Sequence, residues 1–269
     1  MIDLIILPGE DQLDDVDLLS YPLLAHELGH YLLLRDDSSL RNAFSPCLAK
    51  RVRSLKLASM ADKGAARTKA QAIINELESL WTPSADHSNW AHELAIDLVA
   101  LWTCGPAYLA CFEDTVEHQQ PYHITQDHPP YAVRLEALVH CARKLGFDEY
   151  CNGLEKLRAN WAKSQTDGGK NNRFLALADR QIIDACSRAA LELCEALRLS
   201  KCTPSTLATI TRSTLATITR SDGIFGELGV PLLLYAWHMF QHKDERAFQG
   251  WQRATVSWLA RGKVMPLSR

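Results

Sequence analysis

The hydrophobic positions of this chain recur mostly at three- and four-residue steps, the period of a helix packed on one side. One β-branched apolar run, Ile2–Leu7, is ended by Pro8-Gly9 and reads as a short strand. An apolar helix follows from Ser20, a suitable N-cap, with Pro22 in its first turn. Arg35-Asp36-Asp37-Ser38-Ser39 closes it. Residues 48–81 predict a connecting helix or helix pair broken near Gly64. A further apolar helix spans Ser88–Trp102, closed or kinked by Gly105-Pro106. Residues 113–130 read as an irregular loop, and Tyr131–Leu145 as a helix that Pro129-Pro130 opens and Gly146 stops. Beyond it, helices are expected at about 149–164, 172–199, 224–241 and 244–261. The pattern predicts a mainly α protein with one short N-terminal strand. It divides into a core over 1–146 and a helical C-terminal region over 147–269 packed on it.

Candidate chemistry sits in two of these helices. In LLAHELGHYLLL, His26 and His30 are four residues apart, so both imidazoles leave one face about one turn from each other. Two imidazoles at this spacing hold one zinc ion, and Glu27 beside the first reaches a water on that ion and takes its proton. A catalytic zinc wants a third protein ligand and an open position for water. In SNWAHELAIDLVALW, Glu93 and Asp97 share a face at i and i+4. Glu93 is the expected third ligand. Asp97 is expected to accept a hydrogen bond from the far nitrogen of one zinc histidine and so set its tautomer. His92 leaves the helix roughly 100° around from Glu93 and fits less well. Gly29, between the two histidines, costs helix stability of roughly 1 kcal/mol against alanine, which predicts a close approach there by the Glu93 helix.

At these residues the chain resembles the gluzincin class of zinc metallopeptidases, whose second zinc helix carries Glu-x-x-x-Asp. DHPPYAVR, at Asp127–Arg134, looks like the His-Pro-Pro-x-x-x-Arg signature of the CAAX prenyl protease family and its soluble relatives. The three blocks fall within residues 26–134, and the resemblance covers about half the chain. It implies a zincin-like α+β core, with His128 beside the catalytic site and Arg134 supporting the glutamate ligand. It also implies hydrolysis of a peptide or protein substrate. Members of that family are commonly membrane-embedded, and here the sequence departs from them. The most apolar windows, Leu98–Phe112 and Gly223–Phe240, are interrupted by proline or ionisable residues, so no membrane span is expected.

Charge changes the picture little. With 29 basic and 32 acidic residues there is no excess to attract nucleic acid. The basic face at Lys50, Arg51, Arg53 and Lys56 reads as solvated, as does the acidic run Asp11, Asp14, Asp15 and Asp17, which lacks the spacing of a calcium loop. Eight cysteines without a C-x-x-C read as reduced core residues, and the N-terminus lacks a signal-peptide pattern, so a cytoplasmic location is expected. STLATITR occurs twice in tandem at 205–220, too short a unit for a solenoid repeat, and reads as an exposed connection. His238 and His242 are also i and i+4, but read as ordinary histidines on a crowded apolar helix.

Two functions of different class follow. The first is a zinc endopeptidase in which His26, His30 and Glu93 hold the metal, Glu27 moves the proton and His128 steadies the oxyanion. The second is a catalytically silent or partner-activated module of the same design, binding a protein through its C-terminal helices.

Overall fold

The structure, a computed structural model, describes residues 21–83, 89–164, 174, 176–205 and 249. The expected strand, the acidic run, most of the tandem repeat, His238, His242 and, Gln249 apart, the last two expected helices lie outside these residues. Among the described residues every regular element is helical: α1 Tyr21–Ser59, α2 Ala65–Trp81, α3 Trp90–Cys104, α4 Pro106–Val116, α5 Tyr131–Lys144, α6 Asn152–Ser164 and α7 Arg180–Ala196, with a short 3₁₀ turn at Asp148–Cys151 before α6. No described helix is long and apolar enough to cross a membrane.

The architecture is built around α3. Thirteen consecutive residues, Trp90 through Trp102, are buried, and α1, α4, α5 and α7 all pack on it. A helix that is apolar around its whole circumference has this destination. Asn89 caps it, its side-chain oxygen accepting from the backbone N–H groups of Ala91 at 2.9 Å and His92 at 3.1 Å. Gly105 ends it with φ of 57°, where an added Cβ would run into Cys202 Sγ. Glycine is required there twice over, for the left-handed backbone and for the space.

The first helix is longer than its sequence predicts. It continues through Arg35–Ser39 to Ser59, with Pro46 inside it. Leu33, Leu40, Phe44, Leu48 and Val52 are all buried at steps of seven and four, so one apolar stripe carries the helix past its polar stretch. Pro46 is exposed, where water can serve the carbonyl its missing N–H leaves behind. The predicted break at Gly64 is present, with φ of 58°.

Two further boundaries move. The expected loop from 113 starts only after Val116, because α4 buries Leu109, Phe112 and Val116 along one side. The expected helix over 172–199 has its main segment at Arg180–Ala196, begun by Asp179. The Asp179 carboxylate does two jobs. Oδ1 accepts from the N–H groups of Gln181 at 3.0 Å and Ile182 at 3.2 Å, and Oδ2 accepts from Arg51 Nε at 2.8 Å and Nη2 at 2.7 Å. Lys56 likewise pairs with Glu78 at 2.9 Å, so half of the basic face read as solvated is engaged within the fold. All eight cysteines are free thiols, and all but Cys47 are buried.

Candidate metal centre

α1 and α3 bring the two motifs together. Gly29 faces Ile96 across the helix pair, and His26 and His30, on the same side of α1, meet Glu93 on α3. His26 Nε2 lies 3.6 Å from Glu93 Oε2 and His30 Nε2 lies 3.5 Å from Glu93 Oε1. Donors held about 2.0–2.1 Å from a tetrahedral zinc stand about 3.4 Å apart, so these separations match a shared cation. The two imidazole rings meet edge to face at 5.2 Å. Glu27 is exposed on the next position of α1, and one donor atom each of His26, Glu27 and His30 lie within 4.8 Å of one another, a group that can hold a metal ion. Two carboxylates thus compete for the third place. Glu93 is fully buried between the imidazoles, whereas Glu27 faces solvent.

Behind the histidines lies a buried ionic cluster. Asp97, fully buried one turn after Glu93, places Oδ1 3.0 Å from His26 Nδ1. Arg134 grips both carboxylate oxygens, Nε to Oδ2 at 2.7 Å and Nη2 to Oδ1 at 2.6 Å. The hydrogen bonds of Arg134 to Asp97 stand beside a charge attraction to Glu93, the glutamate that the resemblance implied it supports. Arg134 stands on the first turn of α5, which packs on α3. Phe112 and Tyr131 wall it in, 5.3 and 5.7 Å from the guanidinium carbon. Charge pairs this deep persist only when every partner is in place.

The electrostatics follow. For Asp97, burial alone would favour the neutral acid. The Arg134 charge and its hydrogen bonds, with His26, outweigh that and hold the carboxyl well below the usual range. For His26, burial opposes a charge on the ring, yet the hydrogen bonds of Asp97 and Glu93 and the charge of Asp97 outweigh it and raise the pKa to about 9. Two buried carboxylates face one arginine, and the balancing positive charge comes from the His26 imidazolium, whose place a cation between the imidazoles would take.

His128 is less tightly placed. Its Nε2 is 3.8 Å from Glu93 Oε1, and 59% of the side chain is exposed. Its backbone is well anchored: Thr125 Oγ1 donates to the His128 carbonyl at 2.7 Å and accepts from the His128 N–H at 3.1 Å, while Trp90 Nε1 donates to the Thr125 carbonyl at 2.9 Å. The loop therefore presents His128 from the head of α3 to the open side of the centre. Elsewhere in this loop Tyr122 packs edge to face on Phe174 at 5.0 Å, and His118 and His123 are exposed.

One residue of the cluster carries no motif. Tyr108 on α4 is fully buried, with its hydroxyl 2.5 Å from Asp97 Oδ1 and 3.3 Å from His26 Nδ1. A tyrosine inside the apolar run PAYLACF, just past the Gly105-Pro106 corner, was its only signal.

Compared with protein-family models, with curated proteins and with solved structures, the chain matches none.

Proposed function

We propose that this protein is a zinc-dependent endopeptidase of gluzincin design, with a zincin-like α+β core and nearest in pattern to soluble relatives of the CAAX prenyl proteases. The observation that supports this best is the buried Glu93 carboxylate, set 3.6 and 3.5 Å from the imidazoles of a His-Glu-x-x-His helix, with Asp97 behind the first of them. His26, His30 and Glu93 would hold the ion, which when bound polarises a peptide carbonyl and acidifies a water. Glu27, exposed beside His26, takes a proton from the attacking water and hands it to the departing amine nitrogen as the C–N bond breaks. His128 donates toward the carbonyl oxygen as negative charge gathers there. Asp97 and Arg134 keep His26 oriented.

The test combines metal content with cleavage. The purified protein should carry zinc by elemental analysis and cleave members of a mixed peptide library, with a chelator abolishing cleavage. Glu27→Gln should retain the metal and lose hydrolysis; cleavage at a comparable rate by that variant would refute the assignment.

A further inference from the structure

We infer that Tyr108 is a positioning residue for the metal centre: its hydroxyl commits the proton of His26 to Nδ1 and so leaves the Nε2 lone pair for a cation. The inference rests on the metal-site reading above and extends it to a residue in none of the three motifs.

An ionised carboxylate only accepts, so the tyrosine hydroxyl, 2.5 Å from Asp97 Oδ1, spends its one proton on that oxygen. The hydroxyl oxygen then has only lone pairs to offer His26 Nδ1, 3.3 Å away. Asp97 Oδ1, 3.0 Å from the same nitrogen, likewise has only lone pairs. A bare Nδ1 would face two acceptors at once and repel both. A protonated Nδ1 donates to both as a shared hydrogen bond. In the neutral imidazole a metal ligand requires, the proton therefore sits on Nδ1, and Nε2, which points at Glu93, is left to coordinate.

Asp97 alone could in principle set the tautomer, but it does not hold still by itself. Its Oδ1 is approached by three donors, Tyr108, Arg134 Nη2 at 2.6 Å and His26, and the contact to His26 is the longest of them. Tyr108 and Arg134 fix the carboxylate from α4 and α5, and His26 aligns to what they fix. The tyrosine ring also lies parallel to the imidazole within 10°, at 6.4 Å between centroids, which limits tilting of His26.

Tyr108→Phe separates this role from packing, because it keeps the ring and removes only the hydroxyl. Two measurements are made on full-length protein: zinc affinity by competition with a chromophoric chelator, and, in the zinc-loaded protein, solvent exchange of the His26 Nδ1 proton by NMR. Loss of such a partner typically weakens metal binding about 10- to 100-fold, and that fall is expected here together with faster Nδ1 proton exchange. The midpoint of thermal unfolding of the metal-free protein should fall modestly, because Asp97 loses one buried hydrogen bond. Tyr108→Leu, which also removes the ring, should lower both affinity and stability. A Phe variant that binds zinc as tightly as the parent overturns the inference, and so does one whose Nδ1 proton exchanges at the parent rate. Parent protein that binds no zinc would instead overturn the metal-site reading itself.

Discussion

A Cβ placed on Gly29 would stand 2.9 Å from Ile96 Cγ2 and 3.5 Å from the Ile96 Cα, so α1 and α3 touch where a side chain has been left out. This contact sets the gap across which His26 and His30 face Glu93. Gly29→Ala should therefore destabilise the protein by about 1–3 kcal/mol through overpacking, even though alanine favours the helix by roughly 1 kcal/mol. Urea unfolding gives the sign. Trimming the neighbour in a Gly29→Ala/Ile96→Ala double variant should show a coupling of about 0.5–3 kcal/mol, and strict additivity would contradict the close approach.

Replacement of Arg134 by Met takes from the buried Asp97 the cation that grips both its oxygens. A loss of about 3–5 kcal/mol is expected in the metal-free protein, read as a lowered urea midpoint. Arg134→Lys should recover only part of it, since an ammonium cannot make the two-pronged grip on both oxygens. A Met variant as stable as the parent would contradict the account of this cluster.

If the centre binds a cation in the folded state alone, zinc should raise the unfolding temperature and a chelator should lower it again. Free zinc at 100 times its Kd corresponds to about 2.7 kcal/mol of added stability. Glu93→Gln should erase most of that shift by replacing the buried carboxylate between the imidazoles. An undiminished zinc response in that variant would move the third ligand elsewhere, with Glu27 the nearest alternative.

The pH dependence can be examined away from the metal centre. Partial burial, followed by the charges of Glu117 and Asp114, raises the pKa of Glu113 against the pull of Lys156. A carboxyl raised on folding weakens the fold wherever it is ionised, and the penalty fades as pH falls through the raised value toward the unfolded one of 4.5. Glu113→Gln should therefore melt higher than the parent at neutral and alkaline pH, with the difference closing near and below pH 4.5. A constant difference across that range would mean that charge is not its origin.

Thiol chemistry offers a check on the core. Burial pushes Cys104 and Cys141 up to about 11 and Cys194 and Cys202 up to about 12, so these thiols are both shielded and unreactive. Under native conditions a thiol reagent should label Cys47 first, with the remainder following only on unfolding, as intact-mass spectrometry would report.

Much of the centre was legible because its signals are local. The His26–His30 spacing, the Glu93–Asp97 spacing and the Gly29 gap each follow from helix geometry, and the break at Gly64 and the stop at Gly146 follow from backbone preference. The end assigned to the first helix at Arg35–Ser39 was wrong for a physical reason. Short polar stretches end helices in isolation, but here the apolar stripe from Leu33 to Val52 keeps its register through them and packing decides. The grip of Arg134 on Asp97 went unforeseen because a guanidinium's reach is set by how α5 lies on α3, which no spacing reveals. Tyr108 was missed because its partners lie 11 and 82 residues away, and a lone tyrosine in an apolar run looks like any core aromatic.

The burial of Glu93 and Asp97 on every side has an outcome for the order of events in the life of the chain. Neither carboxylate is organised until α1, α4, α5 and α7 have closed around α3, so a half-made polypeptide offers only scattered imidazoles to a passing ion. Under the proposed reading, capture of a cation is thereby deferred to the finished molecule, and the chemistry the ion would bring begins only once the protein has completed itself.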